Sequence, residues 1–128
     1  MKYQSKKVAG VWIDHQHAFI IGNEDFKSQG DYAVIKKITS KHHADHSSSE
    51  DAHHHKVEQE IKHMYASVAD EIQPADAIFI TGPGNAQEEF RNFLMKERKF
   101  QEKEIALGTS DHPTDNQRVA EVRKHFAG

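Results

Sequence analysis

The sequence predicts an α/β fold, a five-stranded mixed sheet in the order β-β-β-α-β-α-β-α with helices packed on it. Three observations predict it. Short apolar runs rich in β-branched and aromatic residues fill the first forty positions and are separated by brief turn signals. A helical period then runs from Val57 to Ile72. Beyond Pro74, strand-like and helix-like patterns alternate, which is the mark of parallel βαβ units.

The first strand is read in Val8-Ala9-Gly10-Val11-Trp12-Ile13-Asp14 and the second in Ala18-Phe19-Ile20-Ile21, with a hairpin turning near Asp14 to His17. After the turn signal Ser28-Gln29-Gly30-Asp31, residues 32–39 supply a third strand, and three strands with short links make an antiparallel meander. From Ser40 to His55 almost nothing is apolar, so this tract reads as a long exposed loop. Val57, Ile61, Met64, Tyr65, Val68 and Ile72 then fall on one helical face. Residues 76–81 form a continuous apolar run, as in a strand buried on both faces. Gly82-Pro83-Gly84 breaks the chain, and Asn85, with Glu88 three residues on, is placed to cap a helix whose stripe is Ala86, Phe90, Phe93 and Leu94. A short strand around Ile105-Ala106-Leu107 precedes a last helix, announced by the capping-box pair Thr114 and Gln117 and burying Val119, Val122 and Phe126.

The chain has 128 residues, a length at which one domain over residues 1–128 is expected. It contains no Cys, which closes disulfide, thiolate-zinc and thiol-nucleophile chemistry and makes the cytoplasm the expected compartment. The start is polar and the apolar runs fall far short of the roughly 20 residues that a membrane span needs, so no membrane partner is expected. Against 17 Lys and Arg stand 20 Asp and Glu, a net charge of −3 with His neutral. The overall field therefore does not draw the chain to a polyanion, and any nucleic-acid contact has to be a local basic patch. The 11 His let that charge swing positive under mildly acidic conditions.

The loudest constellation is the His-rich tract, in which His42, His43, His46, His53, His54 and His55 place six imidazoles within 14 residues. Imidazole ligates Zn and Ni, and weak divalent-metal binding is expected. A shaped site needs rings fixed by further partners, which a Ser-rich loop does not supply by itself. There is no His-Glu-x-x-His zinc-protease motif. Asp14, followed by His15 and His17, is a candidate acid that could hold a metal for phosphodiester chemistry; the same position in a hairpin is where Asp caps its own turn. The Gly82-Pro83-Gly84-Asn85 turn leads into a helix N-terminus, which favours anions, although it lacks the spacing of either nucleotide-binding glycine motif. Lys36, Lys37 and Lys41 form the purer of two basic groups and, with Gly82, Gly84 and Asn85, are the candidate RNA contacts. The other group, from Arg91 to Lys103, is diluted by Glu97 and Glu102 and reads as an ordinary charged surface. Ser47, Ser48 and Ser49 beside His46 lack the rigid third group that a nucleophile-base pair requires.

The run from Val8 to Asp14, the three opening strands, the long polar loop leading into a long helix, and Ala77-Ile78-Phe79-Ile80-Thr81-Gly82-Pro83-Gly84 together resemble the middle domain of archaeal and eukaryotic class-I release factors and of Pelota, and bacterial stand-alone relatives of it. That resemblance implies a ribonuclease H-like fold of the translational-machinery type. In release factors, the loop between third strand and first long helix carries a Gly-Gly-Gln tripeptide that promotes peptidyl-tRNA hydrolysis. The matching stretch here, Ser40 to His55, contains no Gly, and a His/Ser/Asp tract cannot imitate the backbone freedom of paired glycines. Hydrolysis is therefore not predicted. The expected function is a non-enzymatic, translation-related protein binding ribosome or RNA. A divalent metal-binding protein acting through the His-rich loop and a metal-dependent nuclease using Asp14 are the alternatives. The strand from Tyr32 to Thr39 is expected at a sheet edge, where it could pair with a second copy as a homodimer.

Overall fold

The computed structural model describes residues 3–40 and 50–127, and for residues 50–55 the backbone alone. Its element order is β1 (Val8–Ile13), β2 (His17–Gly22), β3 (Ala33–Thr39), α1 (Glu50–Ile72), β4 (Ala77–Thr81), α2 (Ala86–Met95), α3 (Arg98–Gln101), β5 (Glu104–Leu107) and α4 (Asp115–Ala127). The five strands form one mixed sheet in the order β3-β2-β1-β4-β5. β1 pairs antiparallel with β2 (Val11 opposite Ile20) and parallel with β4 (Val11 opposite Ile80), and β4 runs parallel to β5. This is the α/β arrangement of the sequence reading, a five-stranded mixed sheet with helices packed on it, with the short α3 and a three-residue helical turn at Glu24–Phe26 added.

Side-chain alternation along the strands sorts the core into two layers. Ala9, Val11 and Ile13 of β1, with Ile20, Ile78 and Ile80, face α1 and α2, where they meet Met64, Tyr65, Val68, Ile72, Phe90 and Leu94. Val8 and Trp12, with Phe19, Ile21 and Ala77, face α4 and its Val122 and Phe126. β1 and β4 are buried from both sides, which is why they read as unbroken apolar runs rather than alternating ones. α4 approaches β1 very closely, and a Cβ at Gly10 would lie 2.3 Å from Val122 Cγ2.

Two expectations are corrected. The loop expected from Ser40 to His55 does not hold at either end. Ser40 is buried, its N–H donating to the Gln16 carbonyl at 2.9 Å and its hydroxyl to the His15 carbonyl at 3.1 Å. His53, His54 and His55 belong to the opening turns of α1. A helix of 23 residues is roughly 34 Å long, against about 20 Å for a six-residue strand, so α1 outruns the sheet at its N-terminal end. Glu50-Asp51-Ala52-His53-His54-His55 carries no apolar period, so periodicity cannot report these turns. Lys41, His42, His43 and His46 lie outside the described residues.

The second correction concerns the Asn85 cap. Asn85 has helical φ and ψ and makes no side-chain cap hydrogen bond, so Glu89 N–H simply bonds the Asn85 carbonyl at 3.0 Å. At α4 the capping box forms as read. Thr114 N–H donates to Gln117 Oε1 at 2.9 Å, and Gln117 N–H donates to Thr114 Oγ1 at 3.2 Å.

β3 is an outer strand, as expected. Pairing with a second copy is not supported. A bulge opposite the Ile20–Ile21 step leaves Ile35 out of the ladder and exposed, and Lys36 and Lys37 follow it on the surface. Bulges and lysines are the features that keep natural sheet edges from pairing.

Candidate functional site

Four strands, β1, β3, β4 and β5, run the same way and end at one edge of the sheet. In open α/β sheets the crevice outside the carboxyl ends of the strands is where ligands bind. At this edge lie the Asp14–His17 turn, Ser40, Gly82–Asn85 and the segment from Gly108. They are tied to one another: Ser110 N–H donates to the Gly82 carbonyl at 3.0 Å, and Gly108 N–H to the Ile80 carbonyl at 2.9 Å. Gly82 is required by close approach, because a Cβ there would lie 2.0 Å from the Ile13 carbonyl oxygen. Gly84 sits at φ +59, a left-handed position that suits glycine.

Asp14 serves its own turn. Its Oδ1 accepts the N–H groups of Gln16 at 2.8 Å and of His17 at 2.6 Å, an Asx arrangement, with His17 Nδ1 3.6 Å away. Among the described residues, no group of three or more His, Asp and Glu is arranged to hold a metal ion.

The basic run splits across the sheet. Lys36 points toward α1 and pairs with Glu71 at 2.5 Å, whereas Lys37 lies on the opposite face with its Nζ 5.3 Å from the Phe19 ring centroid. Adjacent strand residues face opposite ways, so consecutive lysines cannot form one patch. Gly82, Gly84 and Asn85 lie three strand spacings from β3, roughly 14 Å.

The structure assembles a different group. Between α1 and α2, capped by the β1–β2 turn, lies a cleft of about 380 Å³ lined in part by His15, Lys62, Tyr65, Glu89, Phe93 and Lys96. His15 Nε2 bonds the Glu89 carboxylate, tying the turn to the first turn of α2. Tyr65 forms one wall, its ring centroid 5.6 Å from that of Phe93 and 5.3 Å from that of Phe90. The Tyr65 side chain is 95% buried, and its hydroxyl has no hydrogen-bond partner among the described residues. Burial pushes this phenol well above its ordinary value of 10, and the negative charge of Glu89 adds to the effect, so the group is a neutral O–H. Lys62, Lys96 and Asn92 stand exposed along the rim.

On the other face, Arg118 lies over two rings, its guanidinium carbon 3.8 Å from the Phe19 centroid and 4.4 Å from that of Trp12, while Nη1 donates to Asp115 at 2.7 Å. Neither Arg118 nor the Tyr65 hydroxyl emerged from reading the sequence as a functional group. Tyr65 was absorbed into the apolar stripe of its helix. The available signal was chemical, because a tyrosine on a buried stripe carries a hydroxyl that must find a partner.

No protein-family model matches the chain, and no curated protein matches it by sequence. Solved structures do match. Pelota from Archaeoglobus fulgidus superimposes with a TM-score of 0.60 at 14% identity, covering 94% of this chain and 31% of that one. An archaeal translation termination factor, aRF1, superimposes with a TM-score of 0.57 at 12% identity, covering 94% of this chain and 34% of that one. The chain thus spans about a third of each, which fits a middle domain of those proteins, and shares its fold. Among the described residues, no helix is long and apolar enough to cross a membrane.

Proposed function

We propose that this chain is a translation-related binding module that contacts the ribosome or RNA and does not hydrolyse peptidyl-tRNA. The observation that carries the reading is the likeness of fold over nearly the whole chain to Pelota and to a termination factor, combined with a Ser40–His55 stretch that holds no glycine. A module of this kind works by presenting a shaped surface, and phosphate contacts from lysines supply affinity that falls with salt.

Of the candidate lysines, Lys36 is already paired with Glu71, which favours Lys37 and, on the sequence alone, Lys41 for the phosphate contact. Co-sedimentation with ribosomes at low salt tests the reading. Pelleting is expected to weaken several-fold as salt rises and again in a Lys37→Ala/Lys41→Ala variant, with Lys36→Ala much closer to the parent. A chain that stays in the supernatant at low salt is not a ribosome-binding module.

A further inference from the structure

We propose that the cleft between α1 and α2 takes one nucleotide unit, an unstacked base lying against Tyr65 and Phe93 with its phosphate at Lys62 and Lys96. This rests on the RNA-contact reading and names the site through which a single strand would be held. Three features of the cleft converge on that ligand.

The inner wall is aromatic, with the Tyr65 and Phe93 rings 5.6 Å apart at an interplanar angle of 58° and Phe93 half-buried, so apolar ring surface is offered to a planar ligand. Tyr65 lines the cleft, and its hydroxyl is buried without a partner among the described residues. An orphaned buried hydroxyl is costly, and a ligand supplying an acceptor such as a base carbonyl or ring nitrogen removes that cost. At the rim, the Lys62 and Lys96 ammonium groups meet a phosphate, and Asn92, which can both donate and accept, meets the edge of a base. Glu58 and Glu89 also line the cleft. Glu89 is engaged by His15, which moderates its repulsion of an anion. The volume of about 380 Å³ falls at the small end of the range for small-ligand sites, enough for one unit and not for a stacked pair.

The test is an amide chemical-shift titration of the full chain with adenosine 5′-monophosphate, adenosine, inorganic phosphate and a short single-stranded oligoadenylate. Perturbations are expected around Tyr65, Glu89 and Phe93 with the monophosphate, weaker ones with adenosine, and none centred there with phosphate alone. The oligonucleotide should bind roughly tenfold more tightly if RNA is the source of the unit, and no more tightly if a free nucleotide is. Tyr65→Phe removes one oxygen atom and should weaken monophosphate and adenosine alike by about fivefold. Lys96→Ala should weaken the monophosphate and leave adenosine unchanged. Shifts centred away from the cleft, or parental affinity in Tyr65→Phe, overturn the proposal. Ribosome pelleting of the parent chain separates the two readings: pelleting without nucleotide-dependent shifts rejects the cleft alone, and shifts without pelleting reject the ribosome reading alone.

Discussion

On the α4 face of the sheet, Val122 fills the space that any side chain at Gly10 would need, and most large polar groups meet a partner. Trp12 Nε1 donates to the Asp111 carbonyl at 3.1 Å, the Tyr32 hydroxyl to the Ser28 carbonyl at 2.5 Å, and Arg118 to Asp115, with only its Nε left over. On the α1/α2 face, the apolar cluster is the larger of the two, yet the helices part at the strand ends and leave a cleft with a buried hydroxyl unanswered. The same sheet therefore carries one face on which the Trp12 and Tyr32 polar atoms are answered within the protein and one that leaves a buried tyrosine hydroxyl unanswered beside charged groups. Closed packing stabilises; an open, polar-tipped pocket is where a ligand can act.

The largest expected effect breaks the close approach of α4 to β1. Gly10→Ala puts a methyl 2.3 Å from Val122 Cγ2 and 2.6 Å from Cγ1, and should cost about 1–3 kcal/mol in urea unfolding. Part of that loss should return in Gly10→Ala/Val122→Ala, since the two residues share one contact. An unchanged unfolding midpoint in the single variant would refute the close approach. Next in size, Arg118→Ala removes the guanidinium from both rings and should cost about 1–2 kcal/mol, with a change in Trp12 fluorescence. Arg118→Lys should not restore it, because an ammonium lacks the planar face that stacks on the rings.

The smallest effect carries the opposite sign and sharpens the contrast. Tyr65→Phe deletes a buried hydroxyl that has no partner among the described residues, and should leave stability at neutral pH unchanged or raised by up to about 1 kcal/mol. The pH dependence follows from the raised phenol. The unfolded chain ionises Tyr65 near 10 while the folded chain does not, so its contribution is complete below that pH and is lost as pH rises toward the folded value. The parent should therefore lose stability above pH 10 more steeply than Tyr65→Phe. Tyr32, raised by its own burial, acts equally in both proteins and cancels from the comparison. Parallel curves above pH 10 would mean that the phenol is solvated.

Much of the fold was legible in the sequence, and the part that was not has a physical reason. Val8–Ile13 and Ala77–Thr81 announced themselves as strands because burial on both faces demands unbroken apolar runs. Thr114 and Gln117 announced a helix start because a capping box is local chemistry. Glu50–His55 gave no helical signal, since the stretch holds a single Ala among acidic residues and imidazoles and shows no apolar period. Lys36 and Lys37 looked like one patch because adjacency in sequence is not adjacency on a pleated strand.

The sequence by itself determined the order of the five strands and three longer helices, the edge position of β3, the capped start of α4 and the absence of glycine from Ser40 to His55, all of which follow from short-range pattern and residue type. Only the tertiary structure brought His15 to Glu89, 74 positions apart, and Tyr65 beside Phe93 across two helices. Which side chains meet is fixed by how helices pack on a twisted sheet, and that packing joins residues whose separation along the chain carries no trace of their contact.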